Sequence, residues 1–261
     1  MRTSTSNPKS RNFLQGLPSF LAVSAILLIW KYAALMVGAE IILPDPERTA
    51  AVFLQLLSEG AFWRSVAVSA FRVLAGFILS AAIGMVVGIP AGMRTSVRAA
   101  FDPLLALIRS TPIMSIILIA LLWFKTGTVP IFSAFLIGFP VIVRNIIEGI
   151  GQTDTRLIEM GRAYRFGPRR MLTAVYVPSV VPYLISGAQT ALGLTWKVVV
   201  AAEVLSLPKR GIGARMQYAQ MSLETAEVFA WTAAAILCAA LSHALLARIL
   251  RLFPWRDRHA A

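Results

Sequence analysis

Residues able to do chemistry are few in this chain and unevenly placed. One cysteine, Cys238, and two histidines, His243 and His259, leave no internal disulfide and point away from a metal site. No GxxxxGK[ST] phosphate loop, HExxH or GxSxG occurs, and the few acids do not form a catalytic pair. No catalytic residue is expected, and the chain is read as unable to hydrolyse ATP or anything else by itself. Two constellations remain. The first is the stretch 145–182, the longest polar interruption of the sequence; with Arg144 at its edge it holds six arginines, the others being Arg156, Arg162, Arg165, Arg169 and Arg170. Arginine forks suit an interface with a carboxylate-bearing partner. The second is Trp196, Lys197 and Glu203 inside an apolar run. Ionisable groups in a span are functional candidates by default. Lys197 and Glu203, six residues apart, do not share a helix face at i,i+4 spacing, so each needs a partner on another helix or water. The plainer readings are that the arginines only set topology and that the two charges lie close to the outer interface.

The elements that must position these groups are membrane spans. Of 261 residues, 57% are hydrophobic and only 14% charged, with a mean hydropathy of +0.73; soluble domains carry about 25% charged residues. The net charge of +13 would suggest nucleic acid in a soluble protein. Here it is read as topogenic Lys and Arg at span ends, because no aromatic–basic interleaving for base stacking is present. The expected class is all-α: a polytopic membrane protein of about six transmembrane helices, with both termini cytoplasmic.

In order, the reading is a polar tail at 1–17, then a unit at 18–64 made of a first span and an outer amphipathic helix. A transmembrane core at 65–252 follows, with a cytoplasmic loop at 148–177, and a short tail at 253–261. Lys31 in the first span is expected to snorkel. The amphipathic helix should start near Pro44 and Pro46 and carry Val52, Phe53, Leu56 and Leu57 on one face. The second span, about 65–89, repeats a small residue every fourth position (Gly76, Ser80, Gly84, Gly88, Gly92), a groove where another helix can come close. Pro90 and Gly92 should end it, and Arg72 near its outer end should snorkel or pair with an acid. In 101–124, Pro103 and Pro112 are expected to break the helix, with Ser110 and Thr111 supplying hydroxyls to the freed backbone. That break is either a gate or a packing irregularity. The fourth span, about 130–147, should be interrupted at Gly138 and Pro140. A fifth runs from Pro178 and Pro182 to about Val204. Residues 205–225 read as an outer loop with a short or re-entrant helix, and a sixth span covers about 228–252.

Within the basic stretch one motif is specific. It resembles the EAA loop of the membrane subunits of bacterial ABC importers, whose pattern is E-A-A, three residues, Gly, nine residues, I-x-L-P. Glu159-Met160-Gly161 stand at E-A-A and Val175-Tyr176-Val177-Pro178 at I-x-L-P, with Arg165 at the glycine position and Gly167-Pro168 as another possible break. Downstream, VPSVVPYLISGAQTALGLTWKVVVAAEVL, GIGARM and LETAEVFAWT are similar to permeases of the nitrate/sulfonate/taurine type.

The resemblance implies a type I ABC importer-like fold in the bacterial inner membrane. It also implies a homodimer of permeases, two ATPase subunits that bind ATP and Mg, and a periplasmic or lipid-anchored substrate-binding protein. No cofactor is expected in this chain. The ATPases would dock on Glu159, Met160, Gly161, Arg162, Ala163, Tyr164, Arg165, Phe166, Gly167, Arg169 and Arg170, and the cargo would be a small polar or anionic solute. Polarity and position suggest Ser110, Thr111, Trp196, Lys197 and Glu203 for its pathway. Competing classes are a self-contained secondary transporter or channel, which needs a coupling-ion acid in a span, and an intramembrane enzyme, for which no nucleophile–base pair is seen.

Overall fold

A computed structural model describes residues 8–251. Within them the chain forms only helices, turns and short connections. In order these are α1 (Pro8–Val37), α2 (Pro46–Ser58), α3 (Gly60–Met93), α4 (Thr95–Ser110), α5 (Ile113–Trp123), α6 (Val129–Gly151), α7 (Thr155–Ala163), α8 (Pro168–Met171), α9 (Val177–Ser206), α10 (Ile212–Met221) and α11 (Thr225–Arg251). A π-turn, Leu172–Tyr176, joins α8 to α9, so one helical rod runs from Pro168 to Ser206. Pro178, which has no N–H to donate, lies just beyond this wider turn.

Four rods are long and apolar enough to cross a membrane: 60–93, 129–151, 168–206 and 225–250. The α4–α5 pair, bent by 98°, is a fifth if counted as one span, and α1 adds a shorter apolar segment, Leu21–Val37. The protein is therefore a multi-pass membrane protein of all-α class. Helix α1 already begins at Pro8, inside the expected tail; residues 1–7 and the tail at 253–261 lie outside the described residues.

The prolines behave differently from the sequence reading. Pro90, Pro103 and Pro140 all sit inside continuous helices, and α3 continues to Met93; only Pro112 marks a break, between α4 and α5. A proline removes one backbone donor, and in a membrane protein neighbouring groups can satisfy what it frees. Ser80 Oγ of α3 donates to Phe135 O of α6 at 3.0 Å, one residue before Leu136 O, the carbonyl that Pro140 leaves without a helical donor.

Helix α6 is the axis of the molecule. Against α3 the pairs follow a constant offset of 58 residues: Gly76 faces Ala134, Ser80 faces Gly138, Gly84 faces Ile142, Gly88 faces Ile146 and Gly92 faces Ile150. A Cβ on Gly84 would fall 2.6 Å from Ile142 Cγ2, and one on Gly76 2.5 Å from Ala134 Cβ. Two parallel helices thus approach almost to backbone contact, which only a stripe of small side chains permits. Helix α9 runs antiparallel on another side of α6, where Gly149 meets Val180 and Tyr183, and Gly187 meets Asn145.

The main apolar cluster joins Phe62 and Val73 of α3, Trp196 and Val199 of α9, Ile212 of α10, and Trp231 and Ala234 of α11. Val52, Phe53 and Leu57 of α2 pack onto it, around the buried Leu56. Trp231 stacks on Phe62 with ring centroids 4.9 Å apart. Helix α1 is peripheral. It is tied in by Trp30, which stacks on Phe229 and donates Nε1–H to Pro44 O, and by a Lys31–Glu47 ion pair.

Candidate functional site

The basic stretch folds as an elbow. Asp154 caps α7, its Oδ1 accepting from Arg156 N at 2.8 Å. Helix α7 stops at Tyr164 with two tightening bonds: Arg165 N donates to Arg162 O at 2.9 Å and Phe166 N to Gly161 O at 2.8 Å. This is the Schellman pattern, which requires a left-handed residue just past the helix end. Arg165, at φ 52°, is that residue. The place where the loop pattern carries glycine is thus the place where glycine's freedom is used, and an arginine holds it here. Gly167 is extended and leads into Pro168 at the start of α8. Both candidate breaks are used, one to end α7 and one to begin α8.

The elbow is closed from inside. Gly161 is buried, and a Cβ there would lie 2.8 Å from Met171 Cε and 3.4 Å from the Phe166 ring. Arg170 lies over Phe166 at 4.4 Å from the centroid. Phe166 is therefore half-used by the elbow itself. Outward point Glu159, Met160, Arg162, Ala163, Tyr164, Arg165, Arg169 and Arg170, all exposed, with Tyr164 at 74%. No ion pair among the described residues engages the elbow's arginines. The result is a rigid, basic, aromatic-tipped surface fused to the start of α9.

The five residues suggested for the pathway do not meet at one place. Ser110 and Thr111 both donate their hydroxyls to Leu107 O, satisfying the end of α4 beside the bend. Trp196 Nε1–H donates to Ser242 Oγ of α11 at 2.8 Å. Glu203 has no exposure at all. Arg72 Nη1 donates to its Oε1 at 2.6 Å and to Arg210 O at 2.8 Å, Ser69 Oγ donates to the carboxylate at 2.8 Å, and Gly213 N donates to Oε2 at 2.9 Å. Ser69 Oγ in turn accepts from Ile212 N at 2.8 Å. Three donors converge on the carboxylate, from Arg72, Ser69 and Gly213 N, and the network ties α3, α9 and α10 together.

The GIG start of α10 exists for this network. Gly211 stands at φ 148°, and a Cβ there would fall 2.6 Å from the Glu203 carboxyl carbon; one on Gly213 would fall 2.2 Å from Val200 O. The expectation that Arg72 snorkels or pairs with an acid resolves as pairing. Lys197 differs from Glu203: it is exposed, and it lines a cavity of about 460 Å³ between α9, α10 and α11 together with His243, Thr232 and mostly apolar side chains. His243, considered from the sequence only as an unlikely metal ligand, lines the same cavity.

Three comparisons bear on this arrangement. A family model described as binding-protein-dependent transport system inner membrane component matches residues 80–256. The taurine transport system permease protein of Escherichia coli is 28% identical over 240 residues, 88% of this chain and 87% of that protein. The bicarbonate transport system permease protein of Synechococcus elongatus is 33% identical over 158 residues, 60% of this chain and 56% of its own. A solved inward-facing structure of the MetNI methionine ABC transporter superposes with a TM-score of 0.59 at 19% identity, covering 75% of this chain and 98% of that one, a likeness of fold.

Proposed function

The chain belongs to the family of binding-protein-dependent transport system inner membrane components, and from that premise we propose how its parts divide the work of an ATP-driven importer. It is the membrane-spanning permease subunit of an ABC transporter. The α7–α8 elbow is the surface on which ATPase subunits dock, and those subunits hold ATP and Mg. A second copy of this chain completes the pore, and a substrate-binding protein delivers the solute from the outer side of a bacterial inner membrane. The cargo is a small polar or anionic solute, of the kind named for the taurine and bicarbonate relatives.

One observation carries the docking assignment. Arg162, Arg165, Arg169 and Arg170 are exposed on an elbow that is closed by its own Schellman turn and by Met171 against Gly161. Its rigidity means a force on the arginines is delivered to α9 rather than lost in the loop. Closing of the ATPases would then bias a two-state equilibrium between inward- and outward-open arrangements of the spans.

A self-contained secondary transporter needs a titratable acid open to the pathway. Glu203, the fully buried acid of α9, is sealed by Arg72, Ser69 and Gly213, which favours the ATP-driven reading.

The test is capture of the ATPase by detergent-solubilised protein. Wild type should retain it. A variant combining Glu159→Lys, Arg169→Glu and Arg170→Glu should elute as a folded, monodisperse permease without it, and in proteoliposomes should uncouple ATP hydrolysis from uptake. Normal capture and uptake by that variant would remove the elbow from the coupling role.

A further inference from the structure

Lys197 poses a physical problem. It lies within the 30-residue helix α9, nine residues from its outer end, which is about 14 Å of helix. An ammonium at such depth is costly unless water or an anion compensates it. No carboxylate among the described residues lies within ion-pair distance of it. The side chain instead points into the cavity of about 460 Å³, whose walls include Val200, Met216, Ile236 and Ala239. Its other polar lining comes from His243 and Thr232 of α11, the Thr232 hydroxyl donating to Val228 O. The His243 ring lies against α9 at Gly193, one helical turn from Lys197 on the same face: a Cβ at 193 would fall 3.0 Å from His243 Nε2. Glycine at 193 therefore lets the imidazole reach the ammonium's side of the groove.

We propose that this groove is a binding site for a small amphipathic organic anion, with Lys197 and His243 holding the acidic head and the α10–α11 wall taking a short apolar tail. The proposal rests on the importer reading and gives that importer a selectivity point inside the membrane. The volume is in the range that encloses small ligands, about 300–1,000 Å³. No acid lines the cavity, so its charge favours an anionic head over a cation. A second copy of this chain offers Lys197 no unpaired acid from the interior of a long helix. Apart from Glu203, already paired with Arg72, and Asp102, paired with Arg98, every acid stands in a short helix, near a helix end or in a connecting or terminal segment. A lipid phosphate belongs at the headgroup level, above this depth.

The experiment uses the full chain in nanodiscs of zwitterionic lipid, with butane-1-sulfonate as probe and butan-1-ol as its uncharged counterpart, read by titration calorimetry. Wild type should bind the sulfonate saturably and not the alcohol. Lys197→Met should weaken binding by about tenfold or more, the loss expected for a charged hydrogen bond. Lys197→Arg should retain it, and His243→Gln and Gly193→Ala should each weaken it less than Lys197→Met. Unchanged affinity in Lys197→Met, no binding by monodisperse wild type, or binding abolished when phosphatidylglycerol is added to the disc would each overturn the proposal. The last result would assign the groove to lipid. ATPase capture without sulfonate binding would remove this site and leave the importer reading intact. Loss of capture would remove that reading whatever Lys197 binds.

Discussion

The Arg72–Glu203 network can be tested by a double-mutant cycle. The pair is buried, with 7% and 0% exposure, and joined at 2.6 Å. Removing one member leaves the other charge without its partner inside the fold, which costs about 3–5 kcal/mol. Arg72→Met leaves a carboxylate held only by Ser69 and Gly213 N; Glu203→Gln leaves a guanidinium with only Arg210 O. The double variant leaves no net charge, and a neutral amide at 203 can still accept from Ser69 and Gly213 N. It should therefore lose far less than the sum of the single variants, with a coupling energy of about 3 kcal/mol. At about 2–4 °C per kcal/mol for a chain approaching this size, each single variant should melt roughly 6–20 °C below wild type. The readout is built in: Cys238, the one cysteine, is half-buried against the main apolar cluster, so a thiol-reactive dye reports unfolding of that region. Single variants whose effects add to within about 0.5 kcal/mol would refute a coupled pair. Single variants costing under about 1 kcal/mol would mean that the pair behaves as a solvated surface bridge.

Two further outcomes follow from backbone geometry. Arg165→Gly removes a side chain from a left-handed residue, a conformation costing an L-residue about 1–2 kcal/mol, and should slow hydrogen exchange at Phe166 N, the amide bonded to Gly161 O; faster exchange would contradict the turn. Along the α3 stripe the damage should be graded, Gly84→Ala lowering the yield of folded protein more than Gly88→Ala. The new Cβ would meet Ile142 at 2.6 Å in the first case and Ile146 at 3.1 Å in the second, and equal yields for both would argue that α3 and α6 are not pressed together there.

Much of this architecture was legible because it is periodic. A small residue at every fourth position of 76–92 announces a close helix contact, and hydrophobic length announces spans. The partner α6 was not legible, since nothing local tells Gly84 that it meets Ile142. Prolines misled for a definable reason. Read singly, Pro90, Pro103 and Pro140 each look like a break, whereas a packed membrane helix can satisfy the freed backbone from next door. The acid and base of the buried pair were visible as two unexplained charges, Arg72 and Glu203, but a third, Lys197, competed for the role, and 131 residues separate the partners. Arg165 looked like a departure from the loop pattern; the backbone keeps the glycine's conformation and changes only the side chain.

The single rod from Pro168 to Ser206 has a mechanical consequence. Its C-terminal end is pinned by Glu203, while its N-terminal end carries the arginine elbow. From Arg170 to Glu203 is about 50 Å of helix at 1.5 Å per residue, so a tilt of only about 5° about the pinned end would sweep the elbow through roughly 4 Å. Such a lever has a high ratio: large strokes at the elbow become small, forceful rotations beside the groove at Lys197. The π-turn at Leu172–Tyr176 is the joint where that stroke would first leak away. Spin labels on the elbow and on the C-terminal part of α9 would show whether the rod turns as one piece. A changing angle between them on ATP binding would mean that the joint bends and that the lever is shorter than its length.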